Sequence, residues 1–155
     1  MHLARNHILV VDDYVDAADS TVELLSMWGY DAVACYSGAA ALESASIRRP
    51  EVVLLDLVMP CMDGFQFAEL LHGLTGCRSV PIIAVSGHSG HAYSLRARAA
   101  GIHQYLLKPA EPALLKDLLA RTIRVTAVSK VRRRSPFRAP TQLLSVPMGG
   151  ELVGA

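Results

Sequence analysis

At 155 residues the chain has room for one globular domain and a short tail. Its 52% hydrophobic content can fill a core, yet no run reaches the roughly 18 apolar residues that a bilayer crossing needs, and no apolar leader ends in a small-residue cleavage site. The net charge of +1 hides a division: residues 1–129 carry ten basic against thirteen acidic residues, a net of −3, whereas Lys130, Arg132, Arg133, Arg134 and Arg138 face only Glu151 in the rest. Three cysteines (Cys35, Cys61 and Cys77) are an odd number without a close metal-ligand pair. They argue against a disulfide framework and for a reducing, cytoplasmic setting.

The first element predicted is a strand at Ile8-Leu9-Val10-Val11, a continuous apolar run rich in β-branched residues, as in parallel strands buried on both faces. A helix follows from about Tyr14 to Trp28, with Ala18, Val22 and Leu25 on one stripe and Gly29 as its stop. Ala32 to Cys35 reads as a weaker strand. A second helix starts after Ser37, a natural N-cap, and ends before Pro50. Val52-Val53-Leu54-Leu55 is the third strand, and a helix opens near Asp63-Gly64 and closes between Gly73 and Gly76. Ile82 to Val85 is the fourth strand, with a helix from about His91 to Ala100 stopped by Gly101. Tyr105 to Leu107 is the fifth strand. A last helix begins at Glu111-Pro112, where proline suits the first turn, and turns Leu114, Leu115, Leu118 and Leu119 inward. Five strands alternating with five helices predict an α/β fold with a doubly wound parallel sheet and right-handed crossovers.

Beyond about Val125 this pattern breaks. The division expected is a leader over 1–5, a domain over 6–125, and a basic tail with prolines and glycines over 126–155, disordered or folding only on a partner. The tail has three readings: solvated disorder, contact with an anionic partner, or docking to another protein. It is too short for a typical second domain, and no DNA-binding domain is expected.

Polar residues fall at the strand ends. Asp12 and Asp13 follow the first strand, Asp56 the third, Ser86 the fourth and Lys108 the fifth. In a doubly wound sheet these ends converge on one crevice, where ligands bind. Three carboxylates gathered there repel one another, and a hard divalent cation such as Mg²⁺ removes the conflict. With Lys108 as a second positive charge and the Ser86 hydroxyl as a donor, the crevice can hold a phosphoryl group on a carboxylate nucleophile.

The segments Val10-Val11-Asp12-Asp13, Asp56-Leu57-Val58-Met59-Pro60-Cys61-Met62-Asp63-Gly64, Val85-Ser86-Gly87 and Tyr105-Leu106-Leu107-Lys108-Pro109 resemble, in order and spacing, those of response-regulator receiver domains throughout residues 6–125. The resemblance implies a flavodoxin-like fold with strand order 2-1-3-4-5. It implies that Asp56 accepts a phosphoryl group from a histidine kinase or phosphotransfer protein. Asp13, Asp56 and the backbone carbonyl of Val58 would hold Mg²⁺ directly, and Asp12 mainly through water. Lys108 would pair with the phosphoryl oxygens, Ser86 would swing towards them, and Tyr105 would move inward. A downstream protein target would be met through about residues 90–125. Val58 and His88 stand where the family tunes loss of the phosphoryl group. Val58 cannot orient water through its side chain, so a modest to long aspartyl-phosphate lifetime is expected.

Other readings are a protein-interaction module that keeps this fold without phosphorylation, and a receiver cut from a hybrid histidine kinase. A phosphatase of the haloacid-dehalogenase type would want Asp-x-Asp after its first strand, and a flavin carrier a hydroxyl-rich loop there; Asp12-Asp13-Tyr14 supplies neither. His88 and His91 lack the further ligands a zinc site requires. Enzymatic activity, in this reading, is confined to the domain's own phosphorylation and dephosphorylation.

Overall fold

The computed structural model describes residues 5–134; residues 1–4 and 135–155, with most of the expected leader and tail, lie outside the described residues. The order is β1 (His7–Val11), α1 (Val15–Met27), β2 (Asp31–Cys35), α2 (Gly38–Ile47), β3 (Val52–Leu55), α3 (Gly64–Gly73), β4 (Ile82–Ser86), α4 (His91–Ala99), β5 (Gln104–Leu107) and α5 (Pro112–Arg134). The strands form one parallel sheet in the order β2-β1-β3-β4-β5, the flavodoxin-like arrangement expected.

Strand side chains alternate between the two faces, and each face has its own core. Leu9, Val11, Val53 and Leu55 pack with Ala41 of α2, Phe65 and Leu71 of α3, and Ala97 of α4. Ile8, Val10, Leu54 and Ile83 pack with Ala18 and Leu25 of α1 and Leu115 and Leu119 of α5. Every residue of β1 and β3 is buried, which explains why their sequences read as unbroken apolar runs.

Helix ends follow local chemistry. The Ser37 side chain accepts the Ala40 N–H at 3.1 Å and caps α2. Asp63 and Gln66 exchange side-chain to backbone bonds and form a capping box on α3. Gly29 (φ +90°) and Gly101 (φ +83°) take the left-handed turn that closes α1 and α4. In each case the next two amides reach back into the helix: Gly29 to Ser26 and Tyr30 to Leu25, Gly101 to Arg98 and Ile102 to Ala97.

Two expectations need correction, both on α5. The helix does not stop near Val125 but continues to Arg134, so residues 126–134 are helical and not a disordered tail. Nothing between Pro112 and Arg134 breaks a helix: no proline or glycine follows until Pro136, Thr126 bonds back to the Thr122 carbonyl at 2.9 Å, and cations suit the helix C-terminal end. Leu114 is not turned inward. It is 49% exposed, whereas Leu115 and Leu119 are buried and Leu118 partly so, because Leu114 falls outside the stripe that meets the sheet.

Candidate phosphorylation site

Parallel registry brings the polar strand ends together. Val11 is paired with both Cys35 and Leu55, and each following amide continues the ladder: Asp12 N–H to the Cys35 carbonyl at 3.1 Å, Asp56 N–H to the Val11 carbonyl at 2.9 Å. Asp12 and Asp56 therefore stand side by side. On the other flank Ser86 pairs with Leu107, and the Lys108 N–H bonds the Ser86 carbonyl at 2.9 Å.

The carboxylate oxygens of Asp12, Asp13 and Asp56 come within 4.8 Å of one another, the one such group of potential metal ligands among the described residues. The Lys108 ammonium bridges two of them, 2.9 Å from Asp12 Oδ2 and 3.5 Å from Asp56 Oδ2. Buried Asp12 and partly buried Asp56 each have a backbone partner on the other oxygen: the Tyr14 N–H lies 3.0 Å from Asp12 Oδ1 and the Val58 N–H 3.1 Å from Asp56 Oδ1. Both side chains are thus held in one orientation, while Asp13 is exposed at the rim.

Charges in the crevice do not balance. Burial pushes the Asp56 carboxyl above its usual range and the Asp12 charge adds to this, against the Val58 amide and Lys108, which favour the carboxylate. Burial also works against the Lys108 ammonium, but the hydrogen bond to Asp12 and the charges of Asp56 and Asp12 outweigh it and raise its pKa. Three carboxylates against one ammonium leave a deficit of two positive charges, all on oxygen donors. That donor set fits a hard divalent cation.

Ser86 is fully buried, and its Oγ accepts the His88 N–H at 3.3 Å. Tyr105 is partly buried, and its hydroxyl donates to the His88 carbonyl. The backbone of His88 is therefore held at both ends by the two residues expected to switch. The His88 ring stacks on Tyr93 of α4, centroids 5.4 Å apart. Val58 is exposed beside Asp56, and Cys61 is exposed with φ +67° in the same loop.

Two features of the site escaped the sequence reading. Gly64 packs so closely under the acceptor loop that a Cβ would lie 2.6 Å from the Asp56 carbonyl oxygen and 2.7 Å from Leu57 Cα. Asp63-Gly64 thus does more than start a helix: it lets α3 seat against the backbone of Asp56. The other is Arg96 of α4, which pairs with Asp63 at 3.0 Å and lies over the Phe65 ring, 4.2 Å from its centroid. Asp-Gly at this spacing was visible; nothing in the sequence pointed to Arg96, because the pairing crosses two helices.

The response regulator receiver domain family matches residues 8–120. DNA-binding response regulator MtrA of Mycobacterium tuberculosis is 30% identical over 146 residues, 94% of this chain and 58% of that protein, so the chain spans little more than half the length of this relative. Signal transduction histidine-protein kinase BarA of Escherichia coli is 38% identical over 87 residues, 56% of this chain and 10% of that one. Among solved structures, the Vibrio cholerae chemotaxis protein CheY4 superposes with a TM-score of 0.74 at 27% identity, covering 77% of this chain and 99% of that chain. A CheY-like receiver domain from Methanospirillum hungatei gives 0.76 at 25% identity, covering 81% and 99%. This chain belongs to the response regulator receiver domain family of two-component signalling.

Proposed function

We propose that Asp56 is the phosphoacceptor of a Mg²⁺-dependent switch loaded by a histidine kinase or phosphotransfer protein. The observation that carries this reading is the Lys108 ammonium bridging Asp12 and Asp56 with Asp13 close by. An Asp56 carboxylate oxygen attacks phosphorus of the donor phosphohistidine, the P–N bond breaks, and the imidazole leaves with the electron pair. Asp12, Asp13, Asp56 and the Val58 carbonyl would hold Mg²⁺, which neutralises charge developing on the transferred phosphoryl group. Lys108 supplies the second positive charge. The Val58 amide leaves Asp56 one oxygen, Oδ2, directed at Lys108 as the attacking atom.

The response starts at His88. Ser86 turns its hydroxyl to the phosphoryl oxygens and gives up the His88 N–H, and Tyr105 releases the His88 carbonyl as it moves inward. A freed 87–91 segment then repositions α4, and a target protein reads residues 90–125. With three free cysteines among the described residues, a reducing cytoplasm is the proposed setting. The alignment with BarA favours a second arrangement, in which this receiver belongs to a longer kinase chain.

Intact-mass measurement with Mg²⁺ and acetyl phosphate, beside an Asp56→Ala control, tests the reading. Gain of one phosphoryl group that needs Mg²⁺ and is lost in the control is the expected result. No gain from small donors or from a panel of phosphorylated kinases would contradict it and favour the phosphorylation-independent module.

A further inference from the structure

The opposite pole of the sheet carries the other concentration of charge. There the residues leading into β3 and β4 face the last turns of α5. Two adjoining cavities run along this seam. The smaller, about 250 Å³, is lined by Arg49, Lys130 and Arg133 together with Ser79, Thr126 and Ser129. The larger, about 590 Å³, shares the wall of Ser79, Val125 and Thr126 and continues along Pro81 and Leu118, with His72, Arg78, His103, Gln104, Arg121 and Thr122 as further polar groups around it.

This cleft accounts for a part of α5 that packing does not. Val125, Val128 and Val131 are 67%, 60% and 69% exposed, so the final turns contribute little to the core. What they contribute is cations beside a cleft. Arg49 is anchored by its Nε donating to the Gly76 carbonyl. Among the described residues Glu51 is the one carboxylate paired there, 3.8 Å from Lys130 Nζ, too long for a strong hydrogen bond. Three cations and three hydroxyl-bearing side chains around one small cavity suit a phosphate group. The adjoining cavity is of small-molecule size and mainly apolar in its walls, which suits a ring attached to that phosphate.

We propose that the seam between Arg49, Ser79 and the end of α5 binds a phosphorylated small molecule of the nucleotide class, phosphate at Arg49, Lys130 and Arg133 and ring against Pro81, Leu118 and Val125. A walled cleft of this size fits one small ligand better than the continuous surface that duplex nucleic acid requires. The site is separate from the acidic crevice and does not depend on Mg²⁺.

Titration calorimetry on the full chain in EDTA, which silences the Mg²⁺-dependent crevice, is the test. AMP, adenosine and inorganic phosphate are the probes. AMP should bind saturably and about tenfold or more tighter than adenosine or phosphate alone, and the K130Q/R133Q double variant should lose about tenfold. Glu51→Gln, which removes the competing carboxylate, should tighten AMP. Amide shifts on adding AMP should fall at Ser79, Thr126 and Ser129 and spare Asp12 and Asp56. Both substituted cations are on the surface, and unchanged circular dichroism excludes misfolding as the cause of a loss. No saturable AMP binding at millimolar concentration, AMP binding that survives the double variant, equal affinity for phosphate and AMP, or capture of duplex DNA that AMP does not displace would each overturn the proposal.

Discussion

The centre of the sheet and its β5 edge are built differently. Around β1 and β3 every strand residue is buried, and Asp12 and Asp56 extend directly from that packed backbone. Around α4 and β5 the packing is thin: α4 buries only Ala97, two residues of β5 are exposed, and Leu95 and Leu107 are 55% and 51% exposed. Stability within a fold follows the density of buried contacts, so the β5 edge is the one with freedom to rearrange. The acidic crevice lies on the boundary. Its carboxylates stand on the dense centre, and Ser86, Lys108 and Tyr105 come from strands at or next to the loose edge. A phosphoryl group would thus be gripped by a fixed side and felt by a movable one.

The largest effect that sharpens this contrast is in the core. Leu55→Ala should cost about 2–5 kcal/mol by denaturant unfolding, and Leu107→Ala within about 0.5 kcal/mol. Similar costs at the two positions would break the comparison. Lys108→Ala should slow phosphorylation by acetyl phosphate by about 100-fold, followed by intact mass, while leaving Asp56 as the acceptor. A smaller effect belongs to the link between the two regions. Arg96→Ala removes the bond to Asp63 and the contact with Phe65, and should cost under about 1 kcal/mol while speeding amide exchange across α4. Slower exchange there would mean that Arg96 does not restrain the helix.

The smallest effect is a pH dependence seated on the dense centre. His7 is buried at the start of β1, faced by Asp31, Arg48 and Glu51, and its two ring nitrogens have no hydrogen-bond partner among the described residues. Burial, and then the Arg48 charge, lower its pKa against the opposing pull of Asp31 and Glu51. The folded chain therefore holds fewer protons on His7 than the unfolded chain. The stability this represents is present above the unfolded value near 6.5 and is lost as pH falls from there through the folded pKa. Thermal unfolding between pH 7.5 and 5.5 should show a fall of a few degrees that is reduced in His7→Gln. An equal fall in both would place the dependence elsewhere.

The same division separates what could be read from the sequence. The strand-end residues were legible because apolar, β-branched runs stop abruptly at Asp12, Asp56 and Ser86, and period and topology together put such stops on one edge. Helix starts at Ser37 and Asp63 and stops at Gly29 and Gly101 were legible because caps are local chemistry. Contacts that depend on how elements meet were hidden. The closeness of Gly64 to Asp56 is a matter of helix placement, and Arg96 reaches Asp63 across 33 positions. The end of α5 was misjudged because a cluster of cations reads as a solvated tail, although it contains no helix breaker. Leu114 was misjudged because four leucines in two pairs suit more than one helix face.

Peptide-level hydrogen exchange on the Mg²⁺-loaded chain, with and without acetyl phosphate, tests the account most directly. Phosphorylation should change protection across residues 86–107, where Ser86, His88, Tyr93 and Tyr105 are coupled, and leave β1 and the body of β3 unaltered; the Asp56→Ala chain should show no change in either region. Uniform protection over the whole sheet, or a response confined to α1 and β2, would contradict the division into a fixed centre and a movable edge.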